Sequence, residues 1–253
     1  MDNQDFQKAY NVLEVKMGNF ARKNDEIYVP NITPHSPVEY IFICMEPSLG
    51  EWARSRNEAE IKLKAGFRNF LDGYNTMILH HAIREYLCEN DQKYFITDLS
   101  KGAMLVRNAG VNRMVRYKNW YSLLLEEINL VAIPDARVFA VGTHVNRFLN
   151  SQNFSREATL LIHYSNTAAM HWNTVVQEHK EAFDQFQNTV SHNDLIATAE
   201  DVIKNSEVPK IVSDRALGRL RKGKLTLSRL KLMFNYKISF EVFASKSKIY
   251  RPA

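Results

Sequence analysis

Val38-Glu39-Tyr40-Ile41-Phe42-Ile43-Cys44-Met45-Glu46-Pro47 sets an apolar run directly against a carboxylate and a proline. The run has the length and the β-branched and aromatic content of a buried strand. Pro47, Ser48 and Gly50 end it at once. Two further runs have the same form. Tyr94-Phe95-Ile96-Thr97 ends on Asp98, and Thr159-Leu160-Leu161-Ile162 ends on His163. Open α/β sheets hold ligands in the crevice outside the carboxyl ends of their strands. Three neighbouring parallel strands would therefore bring Glu46, Asp98 and His163 to one pocket.

The segments around these runs have helical periodicity. Phe6, Tyr10, Leu13, Met17 and Phe20 recur at i, i+3/i+4. Glu58 to about Glu89 reads as helical, with interruptions near Gly66 and Asp72-Gly73. Arg113–Ala132 is amphipathic, with Trp120, Leu124 and Ile128 on one face. A polar loop joins strand Lys93–Thr97 to that helix. A third strand, Arg137–Val141, leads into a short helix through Phe148, and a fourth covers Ala158–Ile162. A helix is then expected from about Asn173 to Asn188. Strands alternating with helices predict an α/β fold, a three-layer α/β/α sandwich around a central, mostly parallel four-stranded sheet. The expected organisation is an N-terminal helix and loop over 1–37, packed on a core domain over 38–190. A basic helical extension follows over 191–253, where Ser213-Asp214 is a plausible cap and Gly223 a helix breaker.

With 253 residues, 45% hydrophobic and 11% aromatic, the chain can build a sizeable core, which excludes a wholly disordered protein. The polar, acidic N-terminus does not resemble a signal peptide, and no apolar run is long enough to span a bilayer. A cytoplasmic monomer without membrane contact is the expectation. Cys44 and Cys88 are too few for a four-thiolate cluster and lack zinc-ligand spacing, so neither metal nor cofactor is expected. Charge is unevenly placed. From Asp201 onward there are 13 Lys and Arg against 4 Asp and Glu, whereas the rest of the chain has 20 against 24. A basic segment on a slightly acidic body suggests contact with a polyanion such as DNA, through Arg219, Arg221, Lys222 and Lys224. A merely solvated basic tail is the plainer alternative.

Each candidate residue has a chemical reading and a structural one. A partly desolvated Glu46 at a strand end can polarise a water as general base, or simply accept loop amides. An ionised Asp98 only accepts hydrogen bonds and so favours a ligand edge bearing N–H groups, unless it is a turn residue or cap. His163 can donate to an oxygen on which charge develops, or be a structural histidine. Lys101 is a candidate phosphate contact. Phe67, Phe70 and Tyr74 lie at helical spacing as core residues, and Phe67 is the one chosen to stack on a planar ligand. His80, His81 and Glu85 share a helix face without a third ligand, which reads as a surface helix. No dinucleotide fingerprint, Walker loop, nucleophile elbow or Cys–His pair is present.

At these residues the chain resembles the uracil-DNA glycosylase superfamily. Cys44-Met45-Glu46-Pro47-Ser48 is similar to that family's first motif, G-Q-D-P-Y or G-M-N-P-G, with Glu46 where the family places its water-activating residue. Thr97-Asp98-Leu99-Ser100-Lys101 is similar to the strand end that carries the base-reading Asn. Arg137-Val138-Phe139-Ala140-Val141-Gly142 resembles the strand before a small helix. His163-Tyr164-Ser165-Asn166 resembles the last motif, H-P-S-P, which precedes a DNA-wedging loop. The four motifs occur in the family's order between about Val38 and His179.

The resemblance implies a DNA glycosylase that hydrolyses the N-glycosidic bond of a flipped-out base and leaves an abasic site. It implies Glu46 and His163 as catalytic residues, Ser165 as a DNA contact, and Asn166 to Met170 as a groove-entering loop with Met170 as wedge. The departures are informative. An Asn amide pairs with uracil O4 and N3–H together, whereas a carboxylate at Asp98 repels O4 and accepts from the N4 amine of a cytosine-type ring. The expected substrate is therefore a modified cytosine, such as the glucosylated hydroxymethylcytosine of phage DNA, with antiviral defence as the role. Uracil excision in base-excision repair, a non-catalytic DNA-binding or damage-sensing module, and a small-nucleotide enzyme are the alternatives.

Overall fold

The computed structural model describes residues 2–49, 52–88, 93–105 and 110–249. Helix α1 (Asn3–Lys23) begins at Asp2, whose carboxylate accepts from the N–H of Asp5 at 2.8 Å and so satisfies one of the unpaired first-turn donors. Strand β1 (Ile27–Tyr28) follows, then β2 (Val38–Cys44), β3 (Ser48–Leu49) and helix α2 (Arg56–Lys64). Helix α3 (Tyr74–Tyr86), strands β4 (Tyr94–Asp98) and β5 (Gly102–Leu105), and helix α4 (Arg113–Val131) come next. Strand β6 (Ala132–Val141), helix α5 (Thr143–Ser151) and strand β7 (Ala158–Leu161) complete the α/β part. The remainder is helical: a 3₁₀ turn at Asn166–His171, α6 (Trp172–Glu178), α7 (Lys180–Phe186), α8 (His192–Asn205), α9 (Lys210–Lys222) and α10 (Leu227–Ile249).

These elements form two compact units that interleave along the chain rather than following it in blocks. The first comprises Met1–Phe70, Lys93–Leu160 and Val208–Val212; the second comprises Leu71–Gln92, Leu161–Glu207 and Ser213–Ala253.

In the first unit the main sheet has the order β4-β2-β6-β7, with β2 parallel to both β4 and β6. Ile41, Ile43, Phe95, Val138 and Ala140 pack with Phe6 and Tyr10 of α1, Leu124 and Ile128 of α4, and Val145 and Phe148 of α5. On the other face the Phe42 and Phe139 rings stack at 4.8 Å, and both residues are fully buried. A parallel sheet buried on both faces needs apolar residues at every position, which is why β2 reads as an unbroken run. The fold is α/β, with the buried parallel sheet of a three-layer α/β/α sandwich. Gly142, at φ 101°, turns the end of β6 into α5 in a conformation that disfavours any side chain. A smaller sheet, β1-β5-β3, lies beside Trp52, Ala59 and Phe67.

The second unit is helical: α3 packs on α8 and α10, and α10 on α6. Phe183, Phe186 and Phe234 make its aromatic centre, with ring centroids 5.3 Å apart for both Phe234 pairs.

Several expected elements differ. The loop after β4 contains the strand β5, paired antiparallel with β1. The long segment from Glu58 resolves into α2 and α3, with Phe67 and Phe70 between them on no helix; Glu89 lies outside the described residues. Helix α3 is no surface helix, because His80 and His81 are both buried. The 173–188 segment breaks at His179, whose φ and ψ of −124° and 43° are not helical. Ser213 and Asp214 lie inside α9, which starts three residues earlier, after Pro209, whose fixed φ suits the start of a helix.

Candidate functional site

Cys44 and Asp98 are partners across β2 and β4, and the N–H groups of Leu99 and Ser100 donate to the carbonyls of Cys44 and Met45 at 2.9 and 3.3 Å. This pairing holds the two strand ends together and brings Glu46 and Asp98 to the same end of adjacent strands. β6, rather than β7, is the other neighbour of β2, so the strand preceding His163 is not adjacent to the other two.

The Glu46 side chain is 3% exposed. Its Oε1 accepts from Arg113 Nε at 3.1 Å and lies 2.9 Å from Arg113 Nη2, while Oε2 accepts from the Tyr117 hydroxyl. Arg113 and Tyr117 are four residues apart on α4 and so share one face, which places cation and hydroxyl together. Burial, reinforced by the Glu46 charge, pushes the Tyr117 hydroxyl far above its ordinary range, so it remains a donor.

Asp98 is 2% exposed, and its Oδ2 accepts from Asn69 Nδ2 at 2.8 Å. Burial pushes its carboxyl up to about 7, against the lowering influence of Lys101 and of the Asn69 hydrogen bond; Glu46 adds to the rise. The two strand-end carboxyls thus have different surroundings, one paired with a guanidinium and one with an amide.

Lys101 is not a phosphate contact. It is 1% exposed, and its Nζ donates to Glu127 Oε2 and Thr97 Oγ1, both at 2.7 Å, forming a fully buried ion pair with Glu127. The Thr97 hydroxyl donates to Glu127 Oε2 at 2.6 Å and accepts from Asn31 Nδ2 at 3.1 Å. The sequence sets Lys101 in a polar loop after Asp98. The fold turns its ammonium back onto Thr97 of β4 and the buried Glu127 of α4, whose charge it neutralises.

Phe67 is 5% exposed and stacks on Trp52, with centroids 4.5 Å apart, so this contact covers one face of its ring.

His163 belongs to the second unit, two residues past the end of β7. Its Nδ1 accepts the N–H of Ser165 at 3.0 Å. An Nδ1 that accepts carries no proton, which places the ring proton on Nε2. The ring stacks on Tyr164 at 4.6 Å. Asn166 and Met170 begin and nearly end the 3₁₀ turn; both are exposed, Met170 by 73%. On α9, Arg219 pairs with Asp72 at 2.8 Å and Arg221 with Glu200 at 2.7 Å; Lys222 at its end and Lys224 in the turn after it are exposed.

Sequence reasoning missed Asn69, Arg113, Tyr117 and Glu127. For Glu127 a signal existed: a carboxylate three residues after Leu124 on the apolar face of an amphipathic helix. Arg113 and Tyr117 carry only ordinary i, i+4 spacing, and Asn69 carries none. Among the described residues no group of three or more His, Cys, Asp and Glu side chains is arranged to hold a metal ion. No protein-family model matches the chain, and no curated protein sequence matches it.

Proposed function

We propose that this protein is a DNA glycosylase that hydrolyses the N-glycosidic bond of a flipped-out, modified cytosine and leaves an abasic site. The observation that carries the reading is the pair of buried carboxyls, Glu46 and Asp98, at the ends of adjacent parallel strands. Strand ends of this kind are where open α/β sheets bind ligands.

Glu46 orients the attacking water and stabilises the positive sugar as the bond to the base breaks. A carboxylate has about four acceptor sites, so the donors from Arg113 and Tyr117 leave capacity for a water. Water oxygen bonds to C1′, the electron pair of the C1′–N bond leaves with the base, and the water's proton passes to the Glu46 carboxylate, which gives it up through solvent to the released base. The resemblance of the last motif gives His163 its part in this reading, donation of a ring N–H to the oxygen of the departing base. Asp98, ionised, accepts from the exocyclic amine of the base, while Asn69 holds its second oxygen. The exposed cations of α9 and the turn after it supply sequence-independent attraction to phosphate.

A non-catalytic DNA-binding module is the second reading. It is favoured by the occupation of both Glu46 oxygens, which suits a structural carboxylate as well as a base.

Mass spectrometry of the small molecules released from matched DNAs separates the two. The DNAs bear uracil, cytosine, hydroxymethylcytosine or its glucosylated form, and are treated with wild type and Glu46→Gln. Release of a modified cytosine by wild type alone is the expected result. Release of uracil alone keeps the reaction and overturns the base assignment. Binding without release from any DNA favours the module.

A further inference from the structure

The segment that carries His163 has three consecutive backbone carbonyls, each held by a side-chain donor of the second unit. Ile162 O accepts from the Tyr236 hydroxyl at 3.2 Å, His163 O from Trp172 Nε1 at 3.2 Å, and Tyr164 O from Asn75 Nδ2 at 2.8 Å. Loop carbonyls ordinarily take water. Here two of the three donors depend on α10. Tyr236 is on it and is fully buried; Trp172 is fixed through its own carbonyl, which accepts from Asn235 Nδ2 of α10 at 2.9 Å. The third donor is oriented from the same helix, because Asn75 Oδ1 accepts from Arg229 Nε at 3.3 Å. Arg229 in turn lies 3.7 Å over the Tyr74 ring and donates to Lys224 O at 2.5 Å.

We propose that α10 is a scaffold that sets the conformation of residues 162–165, with Tyr236, Asn75 and Arg229 as positioning residues for His163. The proposal deepens the base-release reading above and rests on it for its catalytic consequence. Pinning three successive peptide planes leaves the turn one way to run, and that way directs the Ser165 N–H onto His163 Nδ1. The turn thereby fixes both the direction of the ring and the tautomer, with Nε2 as donor. The extension is then part of the site's framework and not only a charged handle.

The test uses the full chain with Tyr236→Phe, which deletes one donor, and Asn75→Asp, which keeps an acceptor for Arg229 but loses the donor to Tyr164 O. Glu241→Gln, an exposed position on the same helix, is the control. Two readouts are taken. The first is the ¹⁵N–¹H spectrum of the His163 ring, which distinguishes an Nε2–H tautomer from an average of the two. The second is kcat and KM for base release from glucosylated hydroxymethylcytosine DNA. The wild type and the control are expected to show the Nε2–H tautomer. The two positioning variants are expected to show averaged ring shifts and kcat lowered about 10- to 100-fold, with KM within about twofold. Wild-type ring shifts in both positioning variants overturn the proposal whatever the activity. If wild type releases no base, the reaction assignment fails and the ring shifts alone still decide the positioning role.

Discussion

The Asn69 side-chain amide donates to Asp98 Oδ2 at 2.8 Å, so one oxygen of this buried carboxyl is committed before any ligand arrives. The amide is a weak substitute for the water that Asp98 has lost, and burial pushes the carboxyl up to about 7. The folded chain therefore retains a proton that the unfolded chain releases above about pH 4. The stabilising contribution of this group is full below that pH and is lost as the pH rises through 7. Asp98→Asn removes the titration while an Asn at 98 still offers Asn69 an acceptor. Chemical denaturation is expected to find the variant more stable than wild type above pH 7, by on the order of a few kcal/mol, with the gap closing toward pH 4. A constant gap across that range contradicts the assignment.

The same titration bears on base choice under the glycosylase reading. Ionised Asp98 accepts only, which suits an exocyclic amine; protonated Asp98 donates, which suits a carbonyl such as uracil O4. In mixtures of both DNAs, modified-cytosine release is expected to gain on uracil release as the pH rises through about 7. Asp98→Asn is expected to abolish that dependence. A wild-type preference that is flat from pH 6 to 8 removes Asp98 from base recognition.

Glu46 carries the catalytic part of the proposal. Glu46→Gln retains a side chain of the same shape but loses the charge that orients water and faces the sugar cation. Single-turnover base release is expected to fall roughly 100-fold or more, while the DNA dissociation constant changes by less than about threefold. Near-normal release by the variant refutes the role.

How much of this was legible depended on which interactions are local. The β2 run declared its strand because burial on both faces leaves no polar residue between Tyr40 and Met45. Pro47 and the terminal positions of Asp98 and His163 declared the strand ends. What the sequence concealed was pairing between distant segments. Nothing near Lys101 says that Glu127, on another element, will neutralise it. The donors on Glu46 come from Arg113 and Tyr117, and the hold on Asp98 comes from Asn69, in a segment read as helix. Strand adjacency was only half legible, since β6 takes the place beside β2 that the strand before His163 was expected to share.

The Lys101–Glu127 pair gives a stability prediction opposite to that for a phosphate contact. Lys101→Met leaves a fully buried carboxylate without its cation and is expected to cost about 3–5 kcal/mol. Lys101→Met with Glu127→Leu is expected to recover much of that loss, since an apolar pair replaces the charges. Urea denaturation of both variants decides the point. A Lys101→Met protein of normal stability would return the residue to the DNA surface.

Deleting the basic extension cannot test its contact with DNA, because α10 packs on α3 and α6 and supplies the Tyr236 and Asn235 hydrogen bonds to Ile162 and Trp172. Loss of binding after such a deletion would report a damaged second unit. Arg219 and Arg221 are poor probes for a related reason: their removal also strips a cation from Asp72 and Glu200. Lys222 and Lys224 are exposed at the end of α9 and in the turn after it, where substitution disturbs no buried group. If both meet phosphate, neutralising them as Lys222→Gln with Lys224→Gln is expected to reduce the slope of log K against log salt by about two. The melting temperature should stay where it was. An unchanged slope in that double variant would leave the positive charge of this turn as solvated surface.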